Sequence, residues 1–117
     1  MSNYESYLPH INAEEGIKRV MNNKKLYYNM LTRFNLREMA DKLTQAVKES
    51  ENEAIGFSAH ALKGTLGNLG FPTLFALTGD IEAHAKKNEP VDHLMGGFNS
   101  LVSEVIVVIE RFLENEK

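Results

Sequence analysis

The apolar residues of this chain follow a helical repeat over most of its length, and this repeat limits the fold more than any other feature. In the clearest segment, after residue 54, apolar side chains recur in alternating steps of four and three residues. These side chains are Ile55, Ala59, Leu62, Leu66 and Leu69. Such steps place the side chains on one stripe of an α-helix, as in helices that pack in bundles. We therefore expect amphipathic helices that share a core.

Two later segments repeat this stripe. Gly70 is typical of a helix C-cap, and Pro72 of the first turn of a new helix. The new helix carries Leu74, Leu77, Ile81 and Ala85, runs into Lys86-Lys87, and is followed by a turn at 88–90. The last stripe comprises Leu94, Phe98, Leu101, Val105, Val108 and Phe112. The β-branched run 105–109 also has strand propensity, but the stripe passes through it for about five helical turns, so a helix is predicted.

The first half of the chain contains further helix boundaries. Asn12 and Glu15 form an Asn-x-x-Glu capping box that opens a short helix, which Asn22-Asn23 would end. Ser50 and Glu53 predict a second capping box. Between these two boxes, one apolar stripe ends near Phe34 and a new one starts at Leu36, so Asn35 marks a kink or a short break. The first stripe comprises Leu26, Met30 and Phe34, and the second comprises Leu36, Met39, Leu43 and Val47.

These segments predict an all-α fold. We expect an antiparallel up-and-down four-helix bundle with short loops and an additional short N-terminal helix. The chain has 117 residues and a hydrophobic fraction of 43%, which suits one core. No internal repeat or linker divides it, so residues 1–117 are expected to form a single domain.

Composition excludes several kinds of function. The absence of cysteine excludes a disulfide framework, a thiolate metal site and a cysteine nucleophile. A net charge of −3 leaves no basic field for nucleic acid, so no nucleic-acid partner is expected. There is no run of eighteen apolar residues and no basic start followed by an apolar stretch, so we expect no membrane association and a cytoplasmic location.

One histidine is surrounded by glycines on the face opposite the apolar stripe. On a wheel of about 100° per residue, His60 lies about 120–180° from the large side chains of the stripe, which are Ile55, Leu62, Leu66 and Leu69. Gly56, Gly64 and Gly67 lie within about 40° of His60. Each glycine costs about 1 kcal/mol relative to alanine inside a helix. We interpret the glycines as clearing space so that another protein's active site can close over the imidazole. The alternatives are close helix packing, which is weaker because this face is opposite the stripe, or a helix that ends near Gly64.

Two charged residues are expected near this imidazole. Lys63 follows His60 by three residues, so its ammonium is predicted to reach back over His60, where it would favour an anionic group such as a phosphoryl. The alternative is a solvated surface lysine. If the helices join at residues 70–71, Glu82 lies level with His60. Its carboxylate would then accept the Nδ1–H and present Nε2 outward as a nucleophile. The alternative is an exposed Glu82 paired with Lys86.

Other histidines and other classes of site are less favoured. His10, His84 and His93 are expected to be ordinary surface or hydrogen-bonded residues. A di-metal bundle needs Glu-x-x-His pairs that point inward, and none occurs in this sequence, so no metal site is predicted. A non-catalytic helical adaptor that binds a partner without any chemical step stays open as the alternative function.

Residues 60–70, His-Ala-Leu-Lys-Gly-Thr-Leu-Gly-Asn-Leu-Gly, resemble the signature of histidine-containing phosphotransfer (HPt) domains of bacterial phosphorelays. That signature is His-x-Leu-Lys-Gly, followed by small residues and a hydrophobic-Gly pair. The similarity extends back through 11–34 and forward to 77–82. The chain departs from the pattern at Leu66, where Ala or Ser is common, and at Phe71, which is often Ala. Leu66 is expected to alter packing, and Phe71 to alter the partner-facing rim.

The resemblance implies an up-and-down four-helix bundle with an extra N-terminal helix. It also implies phosphorylation of the outer nitrogen of His60, with Lys63 near the phosphate and Gly64 opening access. The family position that matches Glu82 is often Glu or Gln and can contact the histidine.

The activity implied is that of a phosphocarrier, not a turnover enzyme, in a two-component relay. It would exchange a phosphoryl group reversibly between His60 and the aspartates of response-regulator receiver domains, and a hybrid histidine kinase is a further candidate partner. No cofactor is implied for this chain, because Mg²⁺ is expected on the receiver. We expect a monomer and, from the Met1 start, a free-standing module, with the tail of a hybrid kinase as the alternative.

Overall fold

The computed structural model describes residues 4–117, which form one 3₁₀ turn and six α-helices and contain no strand. The turn spans Tyr4–Tyr7. The helices are α1 (Ala13–Arg19), α2 (Lys24–Arg33), α3 (Leu36–Lys48), α4 (Asn52–Leu69), α5 (Pro72–Lys86) and α6 (Asp92–Glu116). The predicted all-α class is confirmed, and the β-branched run 105–109 lies within α6.

The four longest helices, α3 to α6, pack on one another. α3 packs against α4 and α6, and α5 also packs against α4 and α6. The two short helices lie against this group, with α1 on α4 and α2 on α6. The stripe residues of α4 are all buried, including Leu66, which is fully buried as predicted.

Asparagines cap the first three helices. Asn12, Asn23 and Asn35 each accept the backbone N–H three residues ahead, which satisfies an otherwise unpaired donor. The change of stripe at Asn35 is therefore a break between α2 and α3. The capping box at Asn12 forms only in part, because the Asn12 N–H donates to the Gly70 carbonyl at 2.7 Å while the Glu15 carboxylate lies near Arg19.

The predicted capping box at Ser50 and Glu53 is wrong. Ser50 has φ +56°, and its N–H bonds to the Val47 carbonyl. The residue before α4 is Glu51, which makes no side-chain cap. The turn between α3 and α4 is so short that Ser50 is the left-handed residue that closes α3, so it is not available to cap α4.

The hairpin between α4 and α5 forms as predicted. Gly70 caps α4 with φ +81°, and Pro72 begins α5. A Cβ at Gly70 would lie 2.5 Å from the Asn12 carbonyl oxygen, so both the backbone conformation and the close approach of the α1 N-terminus require glycine. This hairpin sets the register that brings His60 level with Glu82.

The expectation that Phe71 forms part of a partner-facing rim is wrong. Its side chain is only 1% exposed, and its ring stacks on Phe34 with centroids 5.7 Å apart. An aromatic ring in the hairpin gains more from burial of its apolar area than from exposure, so Phe71 closes this end of the core.

By length and composition, α6 is the one helix in residues 4–117 that could cross a membrane. This is weak evidence, because a core helix passes the same test. Several of its apolar side chains, among them Phe98, Val102 and Phe112, are fully buried against the other helices.

Candidate functional site

His60 stands near the middle of α4 with its side chain 71% exposed. Its Nδ1 lies 2.7 Å from Oε2 of Glu82 on α5. Because an ionised carboxylate can only accept a hydrogen bond, Nδ1 must carry the proton. This tautomer leaves Nε2 with a lone pair, and no group within residues 4–117 hydrogen-bonds to it. The imidazole is thus oriented as a nucleophile that faces solvent.

Glu82 is the buried centre of a charge cluster. It is only 2% exposed, and its carboxylate contacts three side chains. Besides His60, Lys63 Nζ lies 2.6 Å from Oε1 and Lys86 Nζ lies 3.2 Å from Oε2. The pKa of Glu82 is lowered to about 2, mainly by the hydrogen bond from Lys63; the bonds from His60 and Lys86 act in the same direction, and burial opposes them. The carboxylate therefore stays ionised at neutral pH.

The structure changes the interpretation of Lys63. The sequence predicts an ammonium that reaches back over His60, but Lys63 reaches across to Glu82 on the neighbouring helix. A buried carboxylate attracts the ammonium more strongly than a neutral imidazole does. Glu82 contacts His60, as predicted, and it also pairs with Lys86, as in the alternative interpretation. Glu82 is buried, so the part of the alternative in which it is exposed is wrong.

The three glycines differ from one another. A Cβ at Gly64 would meet nothing within 4 Å, so this position is open beside His60, as predicted. At Gly67 a Cβ would lie 3.1 Å from the Phe75 ring, and at Gly56 it would lie 3.9 Å from the Ala85 Cβ. Gly67 is therefore a position of close helix packing, which the sequence did not favour. α5 packs beside this edge of α4, and the wheel, which considered only the stripe, did not include it.

A groove between α4 and α5 opens next to His60. It has a volume of about 520 Å³ and is lined by Asn52, Glu53, Gly56, Phe57, His60, Glu82, Ala85, Lys86 and Asn88. Phe57, which borders it, is 78% exposed. Phe57 is not among the residues predicted from the sequence, although its position about 60° from His60 on the wheel places it on the same face of α4.

Together these groups can accept and hold a phosphoryl group. The cluster offers an outward nucleophilic nitrogen whose tautomer is set from behind by a carboxylate. With a neutral imidazole, one carboxylate and two ammoniums, its net charge is +1, which favours an incoming anion.

The comparison of the sequence with family models decides the family. The model of the Hpt domain matches residues 32–113, which is more than half of the chain. The chain belongs to the Hpt domain family. This membership supports a role in histidine phosphotransfer within a two-component phosphorelay.

The fold of this Hpt domain is shared with a solved relative. It is similar to the crystal structure of histidine-containing phosphotransfer protein B (HptB) from Pseudomonas aeruginosa PAO1, with a TM-score of 0.81 and 17% sequence identity. The match covers 94% of this chain and 99% of the other. A comparison with curated protein sequences finds no significant match.

The other histidines of the Hpt domain lie outside the cluster, as predicted. His10 contacts Thr73 at 2.9 Å and Glu104 at 3.4 Å. Nδ1 of His84 lies 2.8 Å from the Asp80 carbonyl oxygen, and the His84 ring contacts that of His93. In residues 4–117 there is no group of three or more His, Asp or Glu side chains that could hold a metal ion.

Proposed function

We propose that this Hpt domain is a phosphocarrier that exchanges a phosphoryl group reversibly between Nε2 of His60 and the aspartates of receiver domains. The observation that carries the proposal is the 2.7 Å contact between His60 Nδ1 and buried Glu82, which places the proton of the neutral imidazole on Nδ1 and leaves Nε2 as the free nitrogen of an exposed ring. The Hpt family match, which includes the signature around His60, supports the same assignment.

The transfer balances without an added reactant. The Nε2 lone pair attacks the phosphorus of the partner's aspartyl phosphate, the P–N bond forms, the P–O bond breaks, and the aspartate leaves as a carboxylate. The Nδ1 proton stays in place, so the phosphorylated ring is cationic and the Glu82 carboxylate stabilises it. In the reverse step an aspartate carboxylate attacks the phosphorus, and neutral imidazole leaves with its Nδ1 proton.

The neighbouring residues of the site have separate roles in this proposal. Lys63 neutralises charge on the phosphoryl group, and its present bond to Glu82 keeps the ammonium next to the site. Glu82 orients the imidazole. Gly64 and Gly56 give a partner access, while the Phe75 ring, which leaves little room for a Cβ at position 67, gives Gly67 a packing role in addition to the docking role expected from the sequence.

We further propose that α3–α6 form an antiparallel up-and-down four-helix bundle, with the N-terminal helices as an addition, in one domain that acts as a monomer. The pairwise packing of these four helices and the short turns between them support this arrangement. The chain would be a relay component, not a turnover enzyme. It would work in the cytoplasm and bind neither nucleic acid nor membrane.

The proposed partners are response-regulator receiver domains and a hybrid histidine kinase. Mg²⁺ would be held by the receiver, and this chain would need no cofactor of its own. The +1 cluster around His60 supports an acidic partner site, while the overall charge of −3 gives no support for a nucleic-acid partner.

The test is transfer from receiver domains that have been charged with radiolabelled acetyl phosphate. We expect the wild type to gain acid-labile, alkali-stable phosphate and His60→Gln to gain none. His93→Gln is the matched control, because it removes another exposed helical histidine, and it should be labelled like the wild type. Equal labelling of wild type and His60→Gln would contradict the proposal and favour the adaptor alternative.

A further inference from the structure

Phe57 is an exposed aromatic residue immediately beside the phosphotransfer site. It lies one helical turn before His60, about 4.5 Å along the axis of α4, and it is 78% exposed. The core stripe of α4 does not use this side chain, because the stripe runs along the other face of the helix. An exposed aromatic at this position is typical of a residue that anchors a protein interface.

The groove next to Phe57 is kept open by small residues. Its floor includes Gly56 and Ala85, and a Cβ at Gly56 would only just touch the Ala85 Cβ, at 3.9 Å. Any longer side chain at position 56 would therefore project into the groove. The same groove is lined by Phe57, His60 and Lys86, and the side chain of Lys86 is 68% exposed.

Geometry and charge limit what can occupy this groove. A partner that brings an aspartate to Nε2 of His60 must cover the surface around that atom, and a standard interface buries about 800 Å² on each side. Phe57 lies well inside such a footprint. The +1 cluster complements a partner whose acidic pocket carries the reacting aspartate, and its exposed cation, Lys86, lies on the groove itself.

We propose that the groove formed by Gly56, Phe57, Ala85 and Lys86 is the docking site of the receiver domain, with Phe57 as its apolar anchor. This inference rests on the proposed function and adds a recognition surface to it. The bond-making atoms are those of His60 and the partner. Phe57 sets the affinity and the specificity of the encounter, and it takes no part in the chemical step.

The test compares two phosphoryl donors on the same variants. Phosphoramidate is a small donor that reaches Nε2 without a protein surface, whereas a panel of purified receiver domains, charged with acetyl phosphate, must dock. We expect Phe57→Ala to slow receiver-driven labelling about tenfold, mainly through a higher KM, which corresponds to the loss of one interface hot spot. Its labelling by phosphoramidate should stay within about twofold of wild type, in keeping with an unchanged chemical centre.

Two further variants keep the test independent of folding. Gly56→Leu fills the groove while it improves helix propensity, so we expect a stably folded protein that loses receiver-driven labelling and keeps phosphoramidate labelling. Val107→Ala is the matched control. It removes another exposed apolar side chain, 61% exposed, on α6, whose main contacts are with α2, α3 and α5. It should behave like the wild type with both donors.

The outcomes separate this inference from the proposed function. If neither phosphoramidate nor the receiver domains label the wild-type protein, the proposed function is contradicted. If receiver domains label Phe57→Ala and Gly56→Leu as fast as wild type, the proposed docking site is overturned and the proposed function is not affected. A change in oligomeric state with unchanged receiver transfer would also overturn the docking site, because the groove would then serve a second copy of this chain.

Discussion

Glu82 makes part of the stability of the fold depend on pH in the acidic range. Its pKa falls from 4.5 to about 2 in the folded chain, so the carboxylate binds a proton more weakly when folded than when unfolded. The ionised carboxylate of Glu82 therefore adds to the free energy of unfolding in full above pH 4.5, and this contribution is lost as the pH falls from about 4.5 through 2. The contribution is about 3 kcal/mol at most. We expect the free energy of unfolding of wild type to fall more steeply over this range than that of Glu82→Gln. Urea denaturation of both proteins between pH 7 and 2 measures this difference, and parallel curves would contradict it.

Substitution of Gly64 by alanine is expected to have opposite effects on the stability of the fold and on phosphoryl transfer. Because a Cβ there meets nothing within 4 Å, Gly64→Ala should stabilise α4 by up to about 1 kcal/mol. The same methyl group stands beside His60 and should slow labelling by receivers. Gly97→Ala, also at an open helical position, is the matched control that should gain stability without any loss of transfer. Thermal unfolding and labelling rates measure the two effects, and equal transfer by the two variants would disagree with this role for Gly64.

The direction and surroundings of a side chain are predicted best from the sequence where they depend on a single helix. The outward direction of His60 and the openness at Gly64 follow from the wheel alone. The level of Glu82 follows from counting residues on either side of the hairpin. The partner of Lys63 and the packing of Gly67 depend on α5 as well as α4, so a wheel of α4 could not give either.

The hairpin between α4 and α5 depends on Gly70. Its φ of +81° costs an L-residue about 1–2 kcal/mol, and a Cβ there would also lie 2.5 Å from the Asn12 carbonyl oxygen. We expect Gly70→Ala to lower the free energy of unfolding by at least about 2 kcal/mol. Chemical denaturation measures this loss, with Gly96→Ala as the control at an unobstructed helical position. A loss below about 0.5 kcal/mol would show that the hairpin does not need this conformation.

Helix extents were predictable where a stripe and a strong terminator agree, as at Gly70 and Pro72. The start of α4 was not, because Ser50 has the composition of an N-cap but takes the left-handed conformation that ends α3. The same competition occurs at Asn12, whose N–H bonds to Gly70 and not to the Glu15 side chain. In both places a contact with another part of the backbone overrides the local motif.

The segment before residue 32 lies outside the family match and yet completes the core. Tyr7, Ile11 and Tyr27 are each at most 3% exposed, and the Tyr27 hydroxyl donates to the Leu69 carbonyl at 2.6 Å. We expect a fragment of residues 32–117 to lose cooperative thermal unfolding, because the removed side chains leave apolar surface exposed along α4 and α6. Circular dichroism on heating measures this, with Tyr27→Phe as a mild control that loses about 1 kcal/mol. A fragment that melts like the full chain would contradict this account.

Helical periodicity predicts the core of α4–α6 but not the way in which the N-terminal segment covers it. That arrangement depends on pairs such as Tyr27 with Leu69 and Asn12 with Gly70, which are far apart in sequence and have no periodic signal. The sequence thus predicts the helices and the candidate site at His60, while the structure adds the packing of the N-terminal segment against the α4–α5 hairpin and the groove beside His60.

The central claim is that Nε2 of His60 receives the phosphoryl group while Glu82 holds Nδ1. Phosphorus and nitrogen NMR of the protein, labelled by a charged receiver domain, distinguishes the two ring nitrogens directly. We predict a single phosphohistidine signal, bonded through Nε2 and absent from His60→Gln. A phosphoryl group on Nδ1, or on any residue other than His60, would contradict it.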